Sequence, residues 1–271
     1  LERCFVAFPQ KMWEGDFLLI VGEKSSMLRD GGDVMENLET LKRWVSESRR
    51  MVALTGAGVS TESGIQDFRG VDGLYHEKFQ YPPETIISHS FYLENPEYFF
   101  RFYRAKMLPL GFEPNITHKT LARWEAEGKL RAVVTQNIDG LHQKAGSKMV
   151  YELHGSVQRN YCTRCGKAFS AEFVQQAPGI PRCDCGGIVK PDVVLYEERL
   201  DADVLEKSVQ AIAQADMLLV LGTSLTVYPA AGLIRYYGGD RLVLINRDPT
   251  PYDSRADLVF HEKLGDVFSQ L

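Results

Sequence analysis

The chain has 271 residues, 44% hydrophobic and 25% charged, enough to bury a sizeable core in one large domain with a smaller satellite. A formal net charge of −5 gives no general basic field, which argues against nucleic acid as a main partner. The longest apolar runs, such as residues 17–21 and 217–221, fall far short of the roughly 20 residues that span a bilayer, so no membrane partner is expected.

Residues 1–34 keep neither helical nor strand periodicity for long, and they lack the basic start and cleavage site of a signal peptide. They are expected to lie outside the fold, either as a disordered or loosely docked arm or as translated upstream sequence. Gly31-Gly32-Asp33 can be encoded by a stretch resembling a ribosome-binding sequence, which would make Met35 the true start. From Met35 onward, Leu38, Leu41, Trp44 and Val45 recur at helical spacing, and residues 51–55 read as a buried strand. The turn that follows, Gly56-Ala57-Gly58, sits where a backbone grips a dinucleotide pyrophosphate. The dehydrogenase fingerprint is nevertheless incomplete. Thr61 stands where its third glycine belongs, and Asp67 comes too early to be its ribose-binding acid. Asp67-Phe68-Arg69 reads either as a surface turn or as a loop that folds over a bound nucleotide.

Residues 76–112 are rich in aromatics and interrupted by prolines, the pattern of an inserted lobe of short helices. Helix 116–127, strand 130–135, strand 191–196, helix 202–214, strand 216–221, helix 229–236 and strand 241–245 follow. Alternation of this kind means an α/β fold with a parallel sheet covered on both faces. The strand ending at Thr135 delivers Gln136, Asn137 and Asp139 to the carboxyl edge, where open parallel sheets bind ligands. Gly222-Thr223-Ser224 and Asn246 follow later strands in the same way. His142 and His154 are both candidates for proton transfer, because histidine titrates near neutrality unaided. His154 follows an alternating run and precedes a glycine, at a strand end that can face a cleft.

Cys162-x-x-Cys165 and Cys183-x-Cys185 have the spacing of two knuckles closing on one zinc ion. Four thiolates close the coordination shell, so this metal is structural. A redox pair is the competing reading, but Cys162 does not open a helix in a thioredoxin-like unit. Reduced thiolates point to a cytoplasmic home. The single-residue gap in Cys183-Asp184-Cys185 is tighter than an ordinary knuckle, and strain is expected there.

Taken together, G-A-G-V-S-T-E-S-G-I-Q-D-F-R-G, T-Q-N-I-D-G-L-H, E-L-H-G, the four cysteines, L-G-T-S-L-T-V-Y-P-A and I-N-R-D closely resemble the sirtuin family, in the right order over about residues 38–268. The resemblance implies a catalytic unit over residues 35–271. Its Rossmann-like NAD domain would comprise residues 35–75, 113–155 and 191–271. Its small lobe would combine the helical insertion 76–112 with the zinc module 156–190, holding one structural Zn2+. It further implies an NAD-dependent deacylase acting on acetylated lysines of proteins or peptides.

Carried over by motif, Gly56, Ala57, Gly58, Thr61, Asp67, Phe68 and Arg69 resemble the NAD loop, and Gln136, Asn137, Ile138 and Asp139 the ribose and nicotinamide pocket. His154 takes the role of general base, collapsing an alkylimidate to free lysine, nicotinamide and O-acetyl-ADP-ribose. Gly222, Thr223, Ser224 and Asn246 resemble the adenosine contacts, with Lys263 or Leu264 closing over the adenine. Val193, Val194 and Tyr196 resemble one edge for a substrate peptide, and the loop with Val227 the other. Three departures stand out: Gln66 replaces a common proline, Glu197 replaces a common glycine, and the second cysteine pair is tight. Relatives that remove acidic acyl groups carry a tyrosine and an arginine where this chain has Phe100 and Tyr103, so acetyl is expected over succinyl. A one-residue shift would bring Arg101 or Arg104 inward instead. An ADP-ribosyltransferase using the same NAD site is the alternative activity, and a zinc-dependent binding module without activity would need a disrupted pocket.

Overall fold

In the computed structural model, residues 31–68, 73–74 and 77–271 are described. Most of the N-terminal segment and Arg69 therefore lie outside the described residues. The first helix, α1 (Gly31–Glu47), begins four residues before Met35. The chain then runs through β1 (Met51–Thr55), two 3-10 turns (Ala57–Val59 and Thr61–Ser63), α2 (Pro83–Ile86), α3 (His89–Glu94) and α4 (Pro96–Phe102). A π-helical turn, Tyr103–Met107, leads to α5 (Ile116–Ala126), β2 (Leu130–Thr135), α6 (Leu141–Ala145) and β3 (Val150–Glu152). β4 (Gly155–Cys162), β5 (Ala168–Phe169), α7 (Ala171–Gln176) and β6 (Val189–Val193) form the zinc region. The chain ends with α8 (Ala202–Ala213), β7 (Met217–Leu221), a 3-10 segment (Ala230–Tyr236), β8 (Leu242–Ile245), β9 (Leu258–Phe260) and α9 (Leu264–Phe268).

Among the described residues, six parallel strands form one sheet in the order β3-β2-β1-β7-β8-β9. β1 and β7 are buried at every position, as strands covered on both faces must be. Alternate residues serve opposite cores. Met51, Ala53 and Leu219 pack with α1, α5 and α9, while Val52, Leu54, Leu218 and Val220 pack towards α8 and the 3-10 segment. A third core belongs to the small lobe. It joins Phe91, Phe99, Phe100 and Tyr103 of the helical insertion to Val157, Cys162, Val174 and Val189 of the zinc region.

The strand expected at 191–196 is corrected: β6 ends at Val193 and pairs antiparallel with β4, in a three-stranded sheet with β5. Its burial alternates along the strand, which suits one packed face rather than the middle of a parallel sheet.

Register fixes where the loops emerge. Thr55 lies opposite both Thr135 and Leu221, Leu221 opposite Ile245, and Thr135 opposite Glu152. Gly56, Gln136, Gly222 and Asn246 therefore leave the sheet along one line. Their N–H groups extend the ladder by donating to Leu221, Thr55, Ile245 and Phe260 carbonyls. Strand order reverses between β1 and β7, the switch point at which open α/β sheets bind ligands.

Candidate active site and metal centre

A cavity of about 370 Å³ opens above that switch point. Gly56, Ala57, Gly58, Asp67 and Phe68 line it from the loop after β1, and Gln136, Asn137, Ile138 and Asp139 from the loop after β2. Gly222, Thr223, Ser224 and Asn246 come from the later strands, and His154, Val193, Val194, Tyr196 and Val227 complete the wall. Thr61, Lys263 and Leu264 do not line it. Thr61 turns its hydroxyl back to the Gly58 carbonyl at 2.9 Å, Lys263 is the N-cap of α9, and Leu264 packs into the core beneath α9.

The glycines serve close packing as well as ligand approach. A Cβ on Gly58 would stand 2.8 Å from the Gly222 Cα, and one on Gly222, whose φ is +58°, would stand 2.5 Å from the Val59 nitrogen. Only two bare backbones let the loops after β1 and β7 touch. Asn115, the N-cap of α5, then anchors the first loop by donating to the Val59 carbonyl at 2.7 Å and the Ser63 hydroxyl at 3.1 Å.

Inside the cavity a polar chain is set up without charge pairing. The Asn137 amide donates to the Ser60 hydroxyl at 3.1 Å, and Ser60 donates to Asp139 Oδ2 at 2.7 Å. Asp139 Oδ1 accepts from the Leu141 N–H at 2.8 Å. Burial raises the Asp139 carboxyl above its ordinary value, opposed by these two hydrogen bonds. Ser60 was not singled out from sequence, although its place two residues after Gly58 was a signal. Gln136 reaches across the rim to the Thr223 hydroxyl at 3.0 Å.

The two histidines separate cleanly. His154 Nδ1 lies 2.9 Å from the Gln136 carbonyl. A carbonyl only accepts, so Nδ1 carries the proton and Nε2 keeps its lone pair. Burial lowers the His154 pKa, with the Gln136 contact opposing, and the ring is a neutral base near pH 7. His142 is buried elsewhere, its Nε2 3.1 Å from the Thr55 hydroxyl and its ring 4.8 Å from that of His118. It does not line the cavity.

The wall formed by Val193, Val194 and Tyr196 is held at its far end by Glu197, which adopts a left-handed φ of +75°. Its carboxylate accepts from the Ser90 N–H at 2.9 Å and hydroxyl at 3.0 Å, contacts that offset the backbone cost of a left-handed non-glycine residue. Tyr196 is fixed too, donating to Ile87 and accepting from His89.

The four cysteine sulfurs lie within 4.8 Å of one another, with Cys162–Cys185 at 3.4 Å and Cys165–Cys183 at 3.6 Å. Four thiolates about 2.3 Å from a zinc ion would be about 3.8 Å apart, so the donor set fits tetrahedral zinc. The tight second knuckle is accommodated by Gly186 at φ +84° and by the Cys183 N–H donating to the Gly187 carbonyl. Gly187 is itself required, since a Cβ there would meet Cys162 Sγ at 2.6 Å.

The Sir2 family profile matches residues 56–229, from the first glycine turn to just beyond Val227 of the cavity wall. The chain belongs to the Sir2 family. It is 57% identical to an NAD-dependent protein deacetylase of Clostridium acetobutylicum over 86% of this chain and 97% of that one. The corresponding protein of Clostridium perfringens is 52% identical, over 87% and 98%. Among solved Sir2 structures, a complex with a p53 peptide and NAD+ superposes with a TM-score of 0.77 at 38% identity, over 86% of this chain and 96% of that one. A complex with deacetylated p53 peptide and 3'-O-acetyl ADP ribose gives 0.80 at the same identity and coverage. No described helix is long and apolar enough to cross a membrane.

Proposed function

We propose that this chain removes acetyl groups from lysine side chains of proteins or peptides, consuming NAD and giving free lysine, nicotinamide and O-acetyl-ADP-ribose, as its Sir2 relatives do. The observation that carries the reading is His154: a neutral imidazole whose free Nε2 belongs to the cavity wall while Nδ1 is tied to the Gln136 carbonyl. NAD, when bound, would supply the ribose that releases nicotinamide and receives the acetyl group as an ester on a hydroxyl oxygen. Gly56, Ala57, Gly58, Gly222, Thr223, Ser224 and Asn246 line a cavity suited to its phosphates and adenosine, with Asp67 and Phe68 on the near side. Asn137, Ser60 and Asp139 form the polar chain that orients the nicotinamide end, beside Ile138. His154 Nε2 then takes a proton from a hydroxyl in the cavity. A peptide adds as a strand between Val193, Val194 and Tyr196 on one side and Val227 on the other.

An acetyl group suits this cavity better than an acidic acyl group. Phe100 and Tyr103 are sealed in the small-lobe core. Arg101 lies over the Tyr98 ring, and Arg104 donates to the Val174 and Gly179 carbonyls of the zinc region, outside the cavity lining. Among the described residues, Lys106 is the one Lys or Arg lining the cavity, and Glu77 already pairs with it at 2.6 Å. A buried carboxylate without its own cation is costly.

Zinc is structural here, since its four thiolates leave no open position. We place the catalytic unit at residues 35–271 and the activity in the reducing cytoplasm, where those thiolates persist. With a net charge of −5, nucleic acid is not proposed as a direct partner.

The test is to incubate the protein with NAD and matched acetyl-lysine and succinyl-lysine peptides, following products by mass spectrometry. O-acetyl-ADP-ribose forming in step with free lysine, and faster than its succinyl counterpart, is expected. ADP-ribose attached to protein without loss of acetyl would overturn the reading in favour of ADP-ribosyl transfer.

A further inference from the structure

The chain leaves the parallel sheet for the small lobe at His154, and the pairing of β4 with β6 slips between Ser156 and Asn160. The three residues in this bulge contact the strands and loops around the turn that carries His154. The Val157 N–H donates to the carbonyl of Ile138, a cavity residue, at 3.0 Å. Gln158 packs over Gly140, where an added Cβ would come within 3.3 Å of its Cγ. Arg159 spans two carboxylates, with Nη1 2.6 Å from Glu152 Oε2 and Nε 2.7 Å from Asp192 Oδ2.

The two carboxylates bracket the catalytic turn. Glu152 ends β3, two residues before His154, and Asp192 lies in register with Ser156, two residues after it. One guanidinium therefore ties the edge of the parallel sheet to the small-lobe sheet across the base of the turn that carries His154. The Glu152 side chain is only 8% exposed, and its other oxygen accepts from Gln143 at 2.8 Å. The Arg159 side chain is itself 43% exposed, so its removal leaves the enclosed Glu152 carboxylate held by Gln143 alone, with its charge no longer compensated by a neighbouring cation. Bulges that re-aim side chains next to active sites are a recurrent device.

We propose that Arg159 is a positioning residue for deacetylation: by clasping Glu152 and Asp192 it fixes the turn that aims His154 into the cavity. This rests on His154 being the base. Without the cation, Glu152 turns towards water, the end of β3 shifts, and the imidazole loses its alignment.

The test uses the full chain loaded with zinc. Wild-type formation of O-acetyl-ADP-ribose checks the deacetylase reading by itself, and the variants are read relative to that rate, so the two failures are distinguishable. Arg159→Met should lower kcat about tenfold to a hundredfold, as small misplacements of catalytic groups do, while KM for NAD stays within about twofold. The double variant Arg159→Met/Glu152→Gln should recover most of kcat, because an amide needs no cation. A purely structural role would lower the melting temperature and leave the kcat of folded enzyme alone. An Arg159→Met kcat within about twofold of wild type, or no recovery in the double variant, overturns the proposal. Should Arg159→Met fail to fold, Arg159→Lys decides: an ammonium lacks the fork that spans both carboxylates, so a reduced kcat supports the clasp and a wild-type kcat refutes it.

Discussion

A histidine serves as a base only where it stays neutral, keeps one nitrogen free and meets the substrate, and His154 and His142 divide on these conditions. His154 lines the cavity with Nδ1 committed to the Gln136 carbonyl, whereas His142 has Nε2 against Thr55 in a buried nest. His154→Ala should therefore lower kcat by roughly 10²–10⁴, the contribution of a positioned base, with NAD binding nearly intact. His142→Gln should lower the melting temperature and keep kcat near wild type. Equal losses of kcat in the two variants would leave the base unassigned. The residue types nominated both, and only the family resemblance favoured His154, because the choice depends on side-chain direction. That direction follows from long-range register: Glu152 opposite Thr135 on one side of His154, and Gly155 opposite Val193 on the other.

At the scale of elements, what local pattern encodes was legible and what distant pairing decides was not. The apolar runs of β1, β2, β7 and β8 announced themselves because each is wholly or almost wholly buried. β6 was visible as a strand but was placed in the wrong sheet, since nothing within it names β4 as its partner. Leu264, carried over with Lys263 from the family resemblance as a lid over the adenine, is buried in the core by the turn into α9. The cysteines were legible because their spacing alone constrains a tetrahedron. Their consequence reaches further than the module, since Cys162 and Cys183 share one core with the aromatics of the helical insertion. Cys162→Ser or Cys185→Ser should release zinc and loosen the whole small lobe, because metal-binding energy in such modules is folding energy. Metal analysis with thermal melting checks this. A native melting curve and full activity in zinc-free protein would show that the module folds without its ion.

For the molecule as a whole, buried imidazoles set the response to acid. α5, α6 and β1 meet at His118, His142 and Thr55, where burial lowers His118 to about 4 and His142 to about 3. His154 is lowered in the same direction. The unfolded chain titrates these rings near the ordinary value of about 6.5, so between that value and the folded ones the unfolded state binds more protons. The stabilisation is fully present above about pH 6.5 and is lost as the pH falls, by up to about 1.4 kcal/mol per pH unit for each histidine. Asp139 works the other way, because its raised carboxyl binds its proton more readily in the folded state, but it is one group against three. The lowered carboxylates, Glu198 among them, act only further into acid. Urea unfolding at pH 7 and pH 5, with zinc content measured at each pH, should give a lower midpoint at pH 5 while the metal is still bound. His142→Gln should flatten that difference. A midpoint that stays constant between the two pH values in zinc-loaded protein would mean that these rings already carry protons in the folded state, contrary to their burial.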